Sequence, residues 1–347
     1  MARLVDWQLA ERIGLRFAPN GPEASPTDAH WAVAELRELA QLARDPVREL
    51  TGLHADPDHA PAVIIDRAEW IRSNVAGFSL ALDPFVSARA DKDVNPAVEA
   101  VGSRLTAGQL GGALAWLSGK VLGQYEAFTP PGQPGRLLLV APNIVHVERE
   151  LDLVPRDFRY WVCLHEETHR AQFGGVPWMA EHFLAEVQSL VALSDVPASE
   201  LVKRFGAIAQ AVVTAARGGS GPSLMEAVQT PAQREVFDRL TGLMSLLEGH
   251  ADYVMDEVGP THVPTVSTIR ERFSARRSQA GTVDGFARRM LGLETKMRQY
   301  TSGADFVRGV IAQAGARGFA QVWAEPGNLP LASEIEDPGA WVRRVLG

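Results

Sequence analysis

Apolar residues recur at spacings of three and four through most of this chain, the pattern of helices that each bury one face. It predicts helices over Trp31–Arg44, Asp66–Ala76, Pro155–Phe173, Trp178–Ser194, Pro231–Val258 and Ser302–Ala314. Asp66 with Glu69 offers the side chains of a capping box, and Pro155 and Pro231 suit a first helical turn, where no backbone N–H is needed. Breaks rich in Pro and Gly fall at 19–26, 129–135, 218–222, 259–264 and 326–330. Two short runs bounded by turn residues, Ala62–Ile65 and Arg136–Ala141, read as strands. The pattern therefore predicts a mainly α, multi-helical fold with a small β element. The 129–135 break separates a helical part, residues 1–128, from residues 136–347, as two units or as one continuous domain with a long surface loop.

Composition narrows the function classes. With 347 residues and 46% apolar content the chain can bury a sizeable core. Its 34 basic against 42 acidic residues give a net charge of -8, which argues against nucleic acid or an anionic membrane as partner. No run approaches the roughly 18 apolar residues of a spanning helix, and the first residues lack the apolar core of a signal peptide. A cytoplasmic location is the expectation. The single cysteine, Cys163, excludes an internal disulfide and any multi-cysteine metal cage. Gly108, Gly111, Gly112, Gly119 and Gly123 with Lys120 suggest a phosphate loop, but no Ser or Thr follows the lysine, so close helix packing is the better account.

The chemistry concentrates in His165-Glu166-Glu167-Thr168-His169, which matches H-E-x-x-H. Chance would produce this pattern roughly 0.02 times in a chain of this composition. Residues i and i+4 share a helix face, so the two imidazoles converge on one ion, while Glu166 can reach a water activated by that ion and act as its general base. Phe158, Trp161 and Val162 continue the same stripe, which points both histidines inward. Cys163, on the same helix, lies about 200° from His165, off the ligand face, and reads as a buried, inert thiol. A catalytic zinc needs a third protein ligand. The helix Pro231–Val258 supplies Glu248 and His250, which flank its apolar stripe symmetrically, so periodicity does not choose between them.

Glu248-x-x-x-Asp252 is similar to the E-x-x-x-D of gluzincin metallopeptidases, a resemblance that implies Glu248 as a zinc ligand and Asp252 as the group orienting His165. The likeness extends to Val121-Leu122-Gly123-Gln124-Tyr125, Ala141-Pro142-Asn143-Ile144, Phe173 and Pro177-Trp178 after H-E-x-x-H, and Leu247 to Asp252. It continues through Lys296-Met297-Arg298-Gln299-Tyr300 with Gly303 and Phe306, then Val322-Trp323 and Asn328-Leu329-Pro330. Together these resemble the bacterial zincin-like metallopeptidase, type 2, family, some members of which are labelled hydrolases and others associated by name with deazaflavin coenzyme biosynthesis, the group this chain looks closer to. The resemblance implies a zincin-like metal domain on the helical fold.

The resulting expectation is one zinc ion per chain, held by His165, His169 and Glu248, and hydrolysis of an amide or peptide bond with Glu166 as base. The substrate is then a peptide or a small molecule, the latter linked to coenzyme metabolism; a non-catalytic scaffold with a structural metal is the third reading. Tyr300, Tyr253, His262 and Arg298 are oxyanion donors by residue type, with Tyr300 favoured by its family-like segment. Glu167 stands where such motifs usually carry an apolar residue, so it either competes for the ion or faces solvent. The Arg136–Ala141 run is either an edge strand for pairing with a bound peptide or a short buried strand.

Overall fold

The computed structural model describes residues 5–55, 62–88, 96–130, 133–192, 231–279 and 300–347. The first part of the chain forms α1 (Trp7–Phe17), α2 (Pro26–Leu42), α3 (Arg44–Thr51), β1 (Ala62–Ile65), α4 (Arg67–Ala88), α5 (Pro96–Ser118) and β2 (Gly123–Glu126). Then follow β3 (Arg136–Val140), α6 (Ala141–Glu150), α7 (Pro155–Gly175), α8 (Met179–Ala192), α9 (Pro231–His262), α10 (Val266–Gln279), α11 (Tyr300–Phe319), α12 (Ala332–Ile335) and α13 (Pro338–Val345). The fold is mainly α with one small sheet, as the periodicity predicts. Local signals act where expected: the Glu69 amide donates to Asp66 Oδ1 at 2.8 Å as α4 begins, and Pro155 opens α7.

The sheet runs β1-β3-β2, with β1 parallel and β2 antiparallel to β3. Of the two readings of Arg136–Ala141, the edge strand is corrected and the buried strand holds: Arg136–Val140 is the central strand, and the edge beside α7 is β2, which the residue pattern does not reveal. Alternation along the strands divides the core. Leu139 and Ile64 face the larger cluster, with Phe158, Val162 and Leu164 of α7, whereas Leu138, Val140 and Ile65 face Trp70 and Ile71 of α4 and Leu114 of α5. The strands on either side of the 129–135 break thus belong to one sheet. Gly111 lets α5 approach Ala10 and Ile13 of α1, the helix packing expected there, whereas a Cβ on Gly112 would meet nothing and Gly123 lies in β2 against Glu166.

Helix α7 is covered on all sides by α2, α3, α9 and the sheet. Its central turns therefore bury polar residues as well as apolar ones, and Glu166, Glu167, Thr168, Arg170 and Gln172 are all inside. Each such group needs a partner, because an unpaired buried charge or amide costs on the order of kcal/mol. Opposite α7, helix α9 is set by its crossing with α11: a Cβ on Gly249 would fall on the backbone of Gly303, and one on Gly303 would lie 3.1 Å from Gly249 Cα. That backbone contact fixes the rotation of α9. Glu248, about 100° away around the helix, then faces α7.

Candidate metal centre

His165 and His169 stand one turn apart on α7, with their Nε2 atoms 3.2 Å from each other. The carboxylate of Glu248 lies 3.7 Å from each, one oxygen toward His165 Nε2 and the other toward His169 Nε2. All three donor atoms fall within 4.8 Å of one another. Two ligands about 2.0–2.1 Å from a tetrahedral ion stand roughly 3.3 Å apart, so the spacing of the two nitrogens suits a single small cation. One anionic oxygen and two imidazoles also form a donor set that zinc accepts. The cluster is reachable from solvent through Glu248, whose side chain is 40% exposed.

Glu166 lies on the flank of this cluster facing the sheet. Its carboxyl group packs against the backbone of Gly123 at the start of β2, where any side chain would overlap it. Burial pushes its pKa up to about 7, with the nearby Glu248 carboxylate adding to the rise and His169 opposing it. The approach of β2 is held from behind: Asn143 Nδ2 donates to Ser118 O at 2.7 Å and to Val121 O at 2.6 Å, while its Oδ1 accepts from Arg67 Nε at 2.7 Å. Tyr125, two residues beyond Gly123, stacks on Phe173 of α7 with ring centroids 5.4 Å apart. The family-like segments around 121–125 and 141–144 thus place one backbone segment against Glu166.

Glu167 neither joins the cluster nor reaches water, which corrects both alternatives drawn from sequence. It is buried and paired with Arg170, whose Nε donates to its Oε2 at 2.7 Å. Burial holds its pKa above the ordinary carboxylate value, and Arg170 and Arg44 oppose that rise. Cys163 is buried against α2, and burial pushes its thiol pKa far up, so it is inert.

His250 turns away from the cluster. Its Nδ1 lies 3.1 Å from Gln172 Nε2, and its ring packs between Phe319 and Trp323, with centroids 5.4 and 5.2 Å away. Full burial, reinforced by His169, lowers its pKa to about 3, so the ring is neutral. Nδ1 of His165 lies 3.2 Å from Met255 Sδ, one turn beyond Asp252 on α9. The half-buried Asp252 accepts from Arg270 through its backbone carbonyl. His262 sits edge-on to Tyr160, ring centroids 6.3 Å apart. Tyr300 opens α11, with its side chain outside the described residues, as is Arg298 entirely.

Sequence reasoning missed Gln172, which is fully buried and whose Oε1 lies 2.9 Å from His169 Nδ1. Its signal was present, since position i+3 from His169 lies on the same helix face. Gly123 was read as helix packing and as part of a family-like segment, because its contact with Glu166 is a long-range one.

A mainly helical fold carrying H-E-x-x-H and a converging glutamate defines a zincin-like metal site. The chain belongs to the zincin-like metallopeptidase family, whose model matches residues 5–342. Among solved structures, it is similar to one described as a "putative hydrolase with a novel fold" from Chloroflexus aurantiacus, at 29% identity and a TM-score of 0.69, covering 98% of both chains. A search of curated proteins finds no significant match. Among the described residues, no helix is long and apolar enough to cross a membrane.

Proposed function

We propose that this protein is a zinc-dependent hydrolase of amide bonds, a metallopeptidase, in which His165, His169 and Glu248 hold one ion and Glu166 is the general base. The observation that carries this reading is the convergence of those three donors beside the buried Glu166 carboxyl group. A divalent ion at such a site polarises the scissile carbonyl and lowers the pKa of a water ligand. Glu166 supplies what the ion does not. Set on the flank of the cluster, the same side chain would take the proton from the attacking water as a carboxylate and deliver it to the departing nitrogen as an acid. Gly123 holds the carboxyl group against β2, which restricts where that transfer happens.

Peptide is favoured as the substrate by the position of β2. It is one of the two outer strands of the sheet, and its first residue touches Glu166. An extended chain pairing along that edge would carry its backbone past the Glu166 carboxyl group. Tyr300 is the candidate donor to the developing oxyanion.

The test is hydrolysis of a mixed-sequence peptide library and of small amides by the zinc-loaded protein and its Glu166→Gln variant. Cleavage of peptides by the wild type, lost in Glu166→Gln with zinc content unchanged, is the expected result. Full activity in Glu166→Gln with zinc still bound would overturn the mechanism, and cleavage of small amides alone would overturn the peptide assignment.

A further inference from the structure

Gln172 is buried between the two site helices, and each polar atom of its amide has a partner. Nε2 lies 3.0 Å from the backbone carbonyl of Leu247 on α9. A carbonyl only accepts, so Nε2 must be the NH₂ group, and the other atom, 2.9 Å from His169 Nδ1, must be the carbonyl oxygen. An oxygen only accepts as well, which places the mobile proton of a neutral His169 on Nδ1. The lone pair is then on Nε2, the atom that faces His165 Nε2 and the Glu248 carboxylate. The second N–H of Gln172 points to His250 Nδ1 at 3.1 Å, so that ring carries its own proton on Nε2. The packing of Phe319 and Trp323 on His250 keeps this end of the chain in place.

We propose that Gln172 is a positioning residue for the metal centre: anchored by Leu247 O and His250, it fixes the tautomer and ring orientation of His169, so that Nε2 is presented as a donor before any ion arrives. This rests on the metal-site reading above. Free histidine favours the opposite tautomer, with the proton on Nε2, which would block that donor. The anchor also ties α7 to the turn of α9 that carries Glu248, because Leu247 precedes that ligand directly.

Two measurements on the full chain test the proposal. In metal-free wild type, long-range ¹H–¹⁵N spectra of labelled histidine are expected to show His169 as the Nδ1–H tautomer; an Nε2–H signal would overturn the proposal without any variant. Zinc affinity, read by competition with a chromophoric chelator, is expected to fall about 10–100-fold in Gln172→Met, which keeps side-chain length but offers neither bond. In Gln172→Glu, which still accepts from Nδ1–H but cannot donate to both Leu247 O and His250, the tautomer should return and the affinity should recover in part. Wild-type affinity in a folded Gln172→Met would overturn the proposal. Absence of zinc binding in wild type would instead sink the metal reading, and the tautomer spectrum would still decide the role of Gln172.

Discussion

Gly123 leaves open the space that the Glu166 carboxyl group fills: a Cβ built on Gly123 would lie 2.8 Å from Glu166 Oε1 and closer still to Cδ. The contact joins edge strand β2 to the proposed general base. Replacing Gly123 by Ala would force either β2 or the carboxyl group aside, while leaving His165, His169 and Glu248 untouched. The expected outcome is a fall in kcat of about 10²-fold or more at unchanged zinc content, since misplacing a proton-transfer group forfeits most of its contribution. Steady-state kinetics beside elemental analysis checks this, and an unaltered kcat would show that the contact does not position Glu166.

The raised pKa of Glu166 makes a statement about stability. Its folded value, about 7, lies above the ordinary carboxylate value, so the metal-free fold binds this proton more tightly than the unfolded chain does. This group's contribution therefore weakens the fold as pH rises from about 4 to 7, and the penalty persists above that. Glu166→Gln should make the metal-free protein more stable at pH 8, by about 3 kcal/mol, with the gain vanishing near pH 4. Denaturant melts in chelator at the two pH values measure the difference. An equal gain at both would assign it to packing.

His250 has the opposite sign. Its folded value of about 3 lies below the ordinary imidazole value, so its contribution is fully present above about pH 6.5 and is lost as pH falls toward 3. His250→Phe removes this titration, and the acid limb of the stability curve should become shallower between those values. A limb of unchanged slope would mean that other groups govern acid unfolding.

The two candidates for the third ligand separate in a zinc titration. Glu248→Ala removes a carboxylate whose two oxygens lie 3.7 Å from the Nε2 atoms of His165 and His169, one each, and should weaken zinc binding at least 100-fold. His250→Phe acts only through Gln172, which keeps its bond to Leu247 O, and should weaken it less than 10-fold. The reverse order would exchange the roles assigned to these side chains.

The crossing of α9 and α11 has no room for a side chain at Gly249. Gly249→Ala should destabilise the fold by about 2–3 kcal/mol and, by rotating or lifting α9, weaken zinc binding as well. A stability loss in urea with full zinc affinity would show that the crossing supports the fold without setting Glu248.

Sequence alone determined what depends on neighbours within a helical turn. The i, i+4 spacing of His165 and His169, the inward stripe of α7, the capping of α4 by Asp66 and the mainly α class all follow from a period of 3.6 residues. Gln172 and the pairing of Glu167 with Arg170 were legible by the same i+3 rule, because their partners lie on the same helix. Tertiary structure decided everything that needed a partner from another element. Glu248 faces the histidines and His250 does not because the Gly249–Gly303 contact sets the rotation of α9, a choice to which the symmetric apolar stripe was blind. Strand β2 exists because β3 offers it hydrogen bonds, not because Gly123, Gln124 and Tyr125 prefer an extended backbone, so local propensity passed it over. The unusual pKa of Glu166 is likewise a tertiary property: it arises from burial under β2, which no window of sequence contains.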